Sequence, residues 1–471
     1  MVFPIVGGNQ STGDIVTNSL RFNDDDSAYL TSGTLSSPNT DKFTVSFWVK
    51  ISGARANIFS IGKRLTGETG DYYALTVDLG SGTGSGRLSL GGYNGVADSN
   101  TIAVNTDTTT GPLFRDPSAW QHHVYAFDTG QGTAGNRFKW YLNGVLQSGY
   151  NTTTTPSQNA DLFPSSGSMI RIGKALNTET RFADCYIADY YYVDGQQYDH
   201  TYFGETNDNG VWVPIKYTGT FGNNGVFLEY KQTGTSQNSS GLGADTSGND
   251  NHFAVNNLTA VSQSTDTCTN NFCVMNHLDN YFAGSTFSNG NLQVNTANSP
   301  YTYNTGTMGM TKGKWYFEGK WISAGSGNSA VGIISTVSTG TSDEAPNKTD
   351  SAMYKDDGVV RRNNGNGTSI AEVSNNNLIM VAYDADNNFA YFGYKFMQFR
   401  KNEKYRTQEL NHRVQCLLDQ MKQEYQSERE AELNEEPVAN IFREHVIDEI
   451  SKQRLIYDEE SGRYIRLRQI K

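Results

Sequence analysis

Asn-Gly and Asp-Gly pairs recur through the first 394 residues of this 471-residue chain, at Asn94-Gly95, Asn143-Gly144, Asp194-Gly195, Asn224-Gly225, Asn289-Gly290, Asp357-Gly358, Asn364-Gly365 and Asn366-Gly367. Such pairs supply the positive φ that two-residue hairpin turns need, because Gly has no Cβ and Asn tolerates the left-handed region. Between them lie short runs rich in Val, Ile, Tyr, Phe, Thr and Trp. In the run 43–50, Phe43, Val45, Phe47 and Val49 alternate onto one face, the pattern of a half-buried strand. Runs at 20–22, 123–127, 138–142, 169–172, 186–193, 226–230, 314–321, 331–334, 378–383 and 389–394 have the same character. The body is therefore expected to be mainly β, built of packed antiparallel sheets.

The composition changes near residue 395. The last 77 residues hold 15 basic and 15 acidic side chains and one glycine, Gly462, whereas the first 394 hold 22 basic, 34 acidic and 47 glycines. Leu410, Val414, Leu417, Leu418, Met421 and Tyr425 step by three and four, which predicts one apolar stripe on a charged helix. Asn434-Glu435-Glu436-Pro437 reads as a stop and restart, with a cap, two acids at a positive helix N-terminus and a proline in the first turn. A second helix follows, carrying Val438, Ile441, Phe442, Val446, Ile447 and Ile450, and the alternation over 463–470 predicts a closing strand. A stripe of this length is marginal alone in water, so the tail is expected to be an assembly element that needs a partner surface, and a homo-oligomer is expected. Sustained heptads are missing, which disfavours a long coiled coil.

The length allows two to four domains of about 100–200 residues. With 37 basic against 49 acidic residues the formal charge is −12, which repels phosphate backbones and anionic lipid, so nucleic acid is a poor partner. No apolar run approaches the roughly 20 residues of a membrane span, and the first residues lack the charged and apolar regions of a signal peptide. Membrane insertion and secretion are not expected. Cys185, Cys268, Cys273 and Cys416 are too few for a disulfide framework and are expected as free thiols, without zinc.

Catalytic signals are weak. Glycoside hydrolysis on a β-sandwich needs paired carboxylates, and no E-x-D-x-x-E pattern occurs. The acid clusters Asp24-Asp25-Asp26 and Asp384-Ala385-Asp386 fall where turns are expected. His122 and His123 are adjacent in a predicted strand, so they point to opposite faces and cannot share a metal. The glycine-rich stretch 80–86 has no phosphate-cradle spacing. The remaining resource is aromatic: rings stack on sugar faces while their polar atoms bond sugar hydroxyls. The loop-like run after Gly195 supplies Tyr198, His200, Tyr202 and Phe203 as a candidate sugar platform.

Several segments, taken in order, carry a resemblance. They are 18–30, the run 43–50, Trp120-Gln-His-His-Val124, Phe138-Lys-Trp-Tyr-Leu-Asn-Gly144, Ile170-Arg-Ile-Gly173 and 182–195. Together they resemble the laminin-G-like, concanavalin-A-like jelly-roll module found in virion proteins of marine tailed phages. The segments 243–253 and 266–272 resemble the connector of those proteins, and 312–318, 331–334 and 379–393 look like core strands of a SPRY-like β-sandwich. The resemblance implies a jelly roll over 1–215, a connector with short strands over 216–275, a SPRY-like sandwich over 276–394 that lacks its last strands, and the helical tail 395–471. It implies a non-enzymatic virion protein, a fibre-like adhesin or decoration protein, whose partners are other virion proteins and host-surface glycans. The alternatives are a polysaccharide depolymerase on the same fold and a purely structural decoration subunit. No cofactor is expected apart from calcium, which laminin-G-like modules sometimes hold at the sandwich rim. Asp24, Asp25 and Asp26 are the candidate ligands.

Overall fold

The computed structural model describes residues 16–396 except 54–55, 65–71, 80–87, 95–98, 107–112, 149, 177–179, 280–283, 297–301, 303, 324–328, 336–348, 363–364, 366, 368 and 371, together with 455–458 and 463–466. The chain divides into two compact units, 1–308 and 309–471. Among the described residues the only helices are three single 3-10 turns, and everything regular besides is antiparallel strand. The expected tail helices, including Leu410, Val414, Leu417, Leu418, Met421 and Tyr425, lie outside the described residues. Within the expected closing strand, Arg463–Arg466 pairs with Leu455–Asp458.

The first unit is a sandwich of two eight-stranded sheets. One runs Val145–Leu146, Phe138–Leu142, Gln121–Asp128, Lys42–Ile51, Cys185–Asp194, Ser19–Phe22 and Gln263–Ser264, with Val226–Leu228 also paired to Cys185–Asp194. The other runs Tyr150–Thr154, Ser99–Thr106, Leu88–Asn94, Tyr72–Leu79, Ala56–Arg64, Met169–Ile172, Tyr29–Thr31 and Ala254–Asn256. Phe43, Val45, Phe47 and Val49 from the first sheet meet Phe59, Ile61, Leu75, Val77, Ile170 and Ile172 from the second in one core. Strands from the stretch 216–275 join both sheets, and the boundary between the units falls at 308, beyond the expected end of the connector.

The strand Lys42–Ile51 departs from the half-buried expectation. Its other face, Thr44, Ser46, Trp48 and Lys50, is buried as well, because chain segments from 196 to 290 cover the outside of the first sheet. Thr44 Oγ1 donates to the Gln196 carbonyl (2.7 Å) and accepts from the Tyr198 N–H (2.8 Å). Lys50 Nζ donates to Asp266 Oδ2 (2.9 Å), Asn271 Oδ1 (2.8 Å) and the Phe272 carbonyl (2.7 Å). The Tyr186 hydroxyl donates to the Gly290 carbonyl (3.0 Å).

A bulge in Cys185–Asp194 sorts its three consecutive tyrosines. Ala188 pairs with Trp48 and Tyr191 with Ser46, so Asp189, at φ 45°, and Tyr190 share one partner position. Tyr190 and Tyr192 enter the core, and Tyr191 faces outward under the covering segment. His122 and His123 divide as their adjacency requires. His123 stacks on Phe47 inside (5.7 Å) and His122 on Trp48 outside (4.7 Å).

The covering segment is held by a polar knot. Asp245 accepts from the Phe227, Ser247 and Asn251 N–H groups (2.9 Å each), and Asn249 and Asn251 donate back to the Gly222, Asn223 and Gly225 carbonyls. This accounts for the dense Asp, Ser and Asn of 245–251: they satisfy backbone that no ladder reaches.

The second unit has two three-stranded sheets, Lys314–Lys320, Asn377–Asp384, Phe389–Phe396 and Ala330–Ile334, Ser351–Lys355, Val360–Arg362. Trp321, Tyr354, Ile379, Val381 and Phe392 form its core. Asp384 closes the 384–389 hairpin by accepting from Lys314, from the Asp386 and Asn387 N–H groups and from the Asn387 amide. The Asp384–Asp386 cluster is thus the turn that its composition implied.

Candidate functional site

The outward Tyr191 is the floor of an aromatic stack. Phe227 lies parallel to it at 4.2 Å, and Phe203 and Tyr217 pack beside it at 5.4 and 6.4 Å. Above them, Tyr198 contacts Tyr217 (5.7 Å) and Tyr202 (4.1 Å between centroids, 32° between planes). The turn His200–Tyr202 that presents Tyr202 is fixed at its start, where Asp199 Oδ1 accepts from the Thr201 N–H (2.9 Å) and hydroxyl (2.6 Å). Tyr202 is 46% exposed and Tyr198 partly buried.

His200 fills the gap between Tyr141 (4.8 Å) and Trp212 (5.3 Å). The Trp212 indole N–H donates to His122 Nδ1 (3.0 Å), which places the His122 proton on Nε2 facing Ser46 Oγ (2.9 Å). Gly144 makes this packing feasible. It takes φ +78° in the Asn143-Gly144 turn, and a Cβ there would stand 2.5 Å from the Trp212 ring. Beside the platform the edge strand Val145–Leu146 exposes both side chains, and Leu146 sits in register with Tyr141.

Of the four expected platform residues, Tyr198 and Tyr202 are brought together, and His200 of the same turn packs instead against Tyr141 and Trp212. Phe203 is not available to a ligand. At 1% exposure it lies underneath, since the single 3-10 turn carries the chain inward after Tyr202. Sequence reasoning missed Tyr141, Trp212 and Tyr217. The apolar density of Val211-Trp212-Val213-Pro214-Ile215 was the available signal for Trp212.

Asp24, Asp25 and Asp26 occupy an exposed turn, as their composition implied. They are not gathered around a common point, and among the described residues no group of three His, Cys, Asp or Glu side chains is arranged to hold a metal ion. The turn instead meets Asp184, whose Oδ1 accepts from the Asp24 N–H (3.3 Å). Burial, with the Asp24 and Asp25 carboxylates nearby, pushes the Asp184 carboxyl up to about 7. The folded state thus holds a proton that the unfolded chain releases near pH 4, and stability falls as pH rises from about 4 to 7. Asp184→Asn is expected to raise the melting temperature strongly at pH 8, less at pH 5, and hardly at all below pH 4. An equal shift at all three pH values would contradict the assignment.

A shallow cleft of about 340 Å³ lies elsewhere on the rim, lined by Ser37, Pro38, Asn39, Asp194, Gly195, Gly222 and Asn223. Its carboxylate is committed to structure: Asp194 accepts from the Asn39 N–H (2.8 Å) and from the Asn224 N–H (3.2 Å) and amide (2.8 Å).

Residues 23–191 match the family described as the concanavalin A-like lectin/glucanases superfamily, of laminin-G type. No curated protein matches the chain. Among solved structures, the heptameric SAP-like pentraxin of Limulus polyphemus is 19% identical, over 40% of this chain and 81% of that one, with a TM-score of 0.28. The mouse laminin alpha1 chain domains LG4-5 are 10% identical over 83% of this chain and 78% of theirs (TM-score 0.28). A CBM40 of the Ruminococcus gnavus IT-sialidase, bound to alpha2,3 sialyllactose, is 14% identical over 37% and 87% (TM-score 0.24). The two facing antiparallel sheets and the match over 23–191 together show that this part of the chain has a concanavalin A-like β-sandwich fold.

Proposed function

We propose that the chain is a non-enzymatic carbohydrate-binding display protein, a fibre-like adhesin or decoration protein of a phage virion that presents its jelly roll to host-surface glycans. The observation that carries the binding reading is the exposed Tyr202 ring packed at a 32° tilt against Tyr198 and backed by buried aromatics, a preorganised ring of the kind that sugar faces stack on. The virion role is supported by the ordered resemblance of 18–195 and 243–272 to phage virion proteins.

The test is a glycan array probed with the full chain, followed by titration of the best sugar. Tyr202→Ala is expected to weaken binding about three- to tenfold, the worth of one aromatic contact. If the unaltered chain binds no glycan at millimolar concentration, the binding reading fails and a purely structural decoration role takes its place.

A further inference from the structure

The sheet Lys314–Lys320, Asn377–Asp384, Phe389–Phe396 has two faces, and only one belongs to the core of its unit. On the core face stand Phe317, Ile379, Val381 and Phe392. The opposite face carries Leu378, Met380 and Ala382 on the central strand, Tyr316, Glu318 and Lys320 on one neighbour, and Phe389, Tyr391 and Gly393 on the other. Its exposure is graded. Phe389 is 53% and Tyr316 41% exposed at one end, whereas Met380 is 3% and Leu378 6% exposed at the other.

The sheet does not bury that second end by itself. Glu318 and Lys320 are exposed, Gly393 opposite Met380 has no side chain, and among the described residues the apolar side chain packed with Leu378 and Met380 is Ala382 of the same strand. Two apolar side chains on a sheet face stay this dry only under a cover. The register places Lys395 opposite Leu378, so the chain leaves the sheet at Phe396 beside the buried end. The first apolar stripe after that exit is Leu410, Val414, Leu417, Leu418, Met421 and Tyr425. Thirteen residues separate Phe396 from Leu410, a reach of up to about 45 Å.

We propose that this stripe packs against the Leu378–Met380 face of its own chain, so that the charged tail completes the second unit rather than serving first as a contact between copies. The apolar side of a helix and the dry end of the sheet each supply the surface that the other lacks.

The experiment uses the full chain with photo-methionine in place of methionine, prepared as an equal mixture of light and isotopically heavy protein. After irradiation, peptides containing Met380 are expected to be cross-linked to peptides from 410–425, within light chains or within heavy chains. Cross-links from Met380 only to other segments, or only between light and heavy chains, would overturn the proposal, the latter in favour of a second copy. In the full-length Leu417→Glu/Leu418→Glu variant the cross-link is expected to disappear and amide exchange at Leu378–Val381 to accelerate at least tenfold, while Val45 and Val49 in the first unit keep their rates. Unchanged exchange at Leu378–Val381 would equally overturn it.

Discussion

Acidification from pH 7 to 4.5 is expected to remove up to about 3 kcal/mol of stabilisation at each of two histidines in the first unit, offset in part by the proton that Asp184 takes up. Burial holds His122 and His123 neutral and drives both down to about 3, and for His122 the nearby His123 and His200 rings add repulsion of a second positive charge. In the unfolded chain the same imidazoles titrate near 6.5. Between pH 6.5 and 3 the unfolded state therefore binds more protons than the folded one, so their contribution is fully present above about 6.5 and lost as pH falls. The hydrogen bonds agree. His123 Nδ1 accepts from the Trp140 indole (3.3 Å) and lies 3.0 Å from the Tyr125 hydroxyl, which leaves no lone pair for another proton. Exchange of the Val45 and Val49 amides, measured at both pH values, reports this unit specifically. His123→Phe should cost stability at pH 7, since two donors lose their acceptor, yet lose distinctly less than the unaltered chain between pH 7 and 4.5. Identical losses in both proteins would show that the acid sensitivity lies elsewhere.

The largest single substitution effect is expected at Lys50. Its ammonium is 1% exposed and the Asp266 carboxylate 3%, and between them the pair is fully satisfied. Lys50 has three acceptors, and Asp266 also accepts from the Trp120 indole (3.0 Å) and the Phe272 N–H (3.2 Å). Lys50→Met would strand a buried carboxylate, which costs about 3–5 kcal/mol. Burial already pushes the Lys50 pKa down despite Asp266, a sign that the ammonium depends on its partner. Lys50→Met/Asp266→Leu should cost clearly less than the sum of the two single changes, because no unpaired charge remains. Urea titration followed by amide exchange in Lys42–Ile51 tests both statements, and strict additivity would refute the coupling.

The first sheet was legible because its strands carry large alternating residues: Phe43, Val45, Phe47 and Val49 fix the inner face, and Asn143-Gly144 fixes a hairpin, with φ 48° and 78°. The centre of the second sheet was not. Ala56–Arg64, Tyr72–Leu79, Leu88–Asn94 and Ser99–Thr106 alternate too, through Leu75, Val77, Leu79, Leu88, Leu90, Ile102 and Val104. Their other positions are small or polar, such as Ser89, Gly91 and Ala103, and dilute the apolar signal. Gly92 even reads as a strand breaker, although it is there because the Phe163 ring would stand 2.3 Å from a Cβ.

The site shows the same division. Local chemistry pointed to the loop after Gly195 and to Tyr198 and Tyr202. The inward path of Phe203, and the arrival of Tyr141 and Trp212 around His200, depend on contacts that no short window contains. Lys50 is the extreme case: it points away from the core as alternation requires, but its counterion comes from 216 residues further along the chain.

The cover over the outer face of the first sheet bears on how such a protein can be shuffled by recombination. A crossover just after the jelly-roll match would separate Lys50 from Asp266, the Tyr186 hydroxyl from Gly290 and Tyr191 from Tyr217 and Phe227. The recipient would inherit a sheet whose outer side is lined with orphaned polar and aromatic groups. The heritable module is therefore longer than its recognisable sequence pattern, and viable exchange points lie past Gly290, where the last of these clasps is closed.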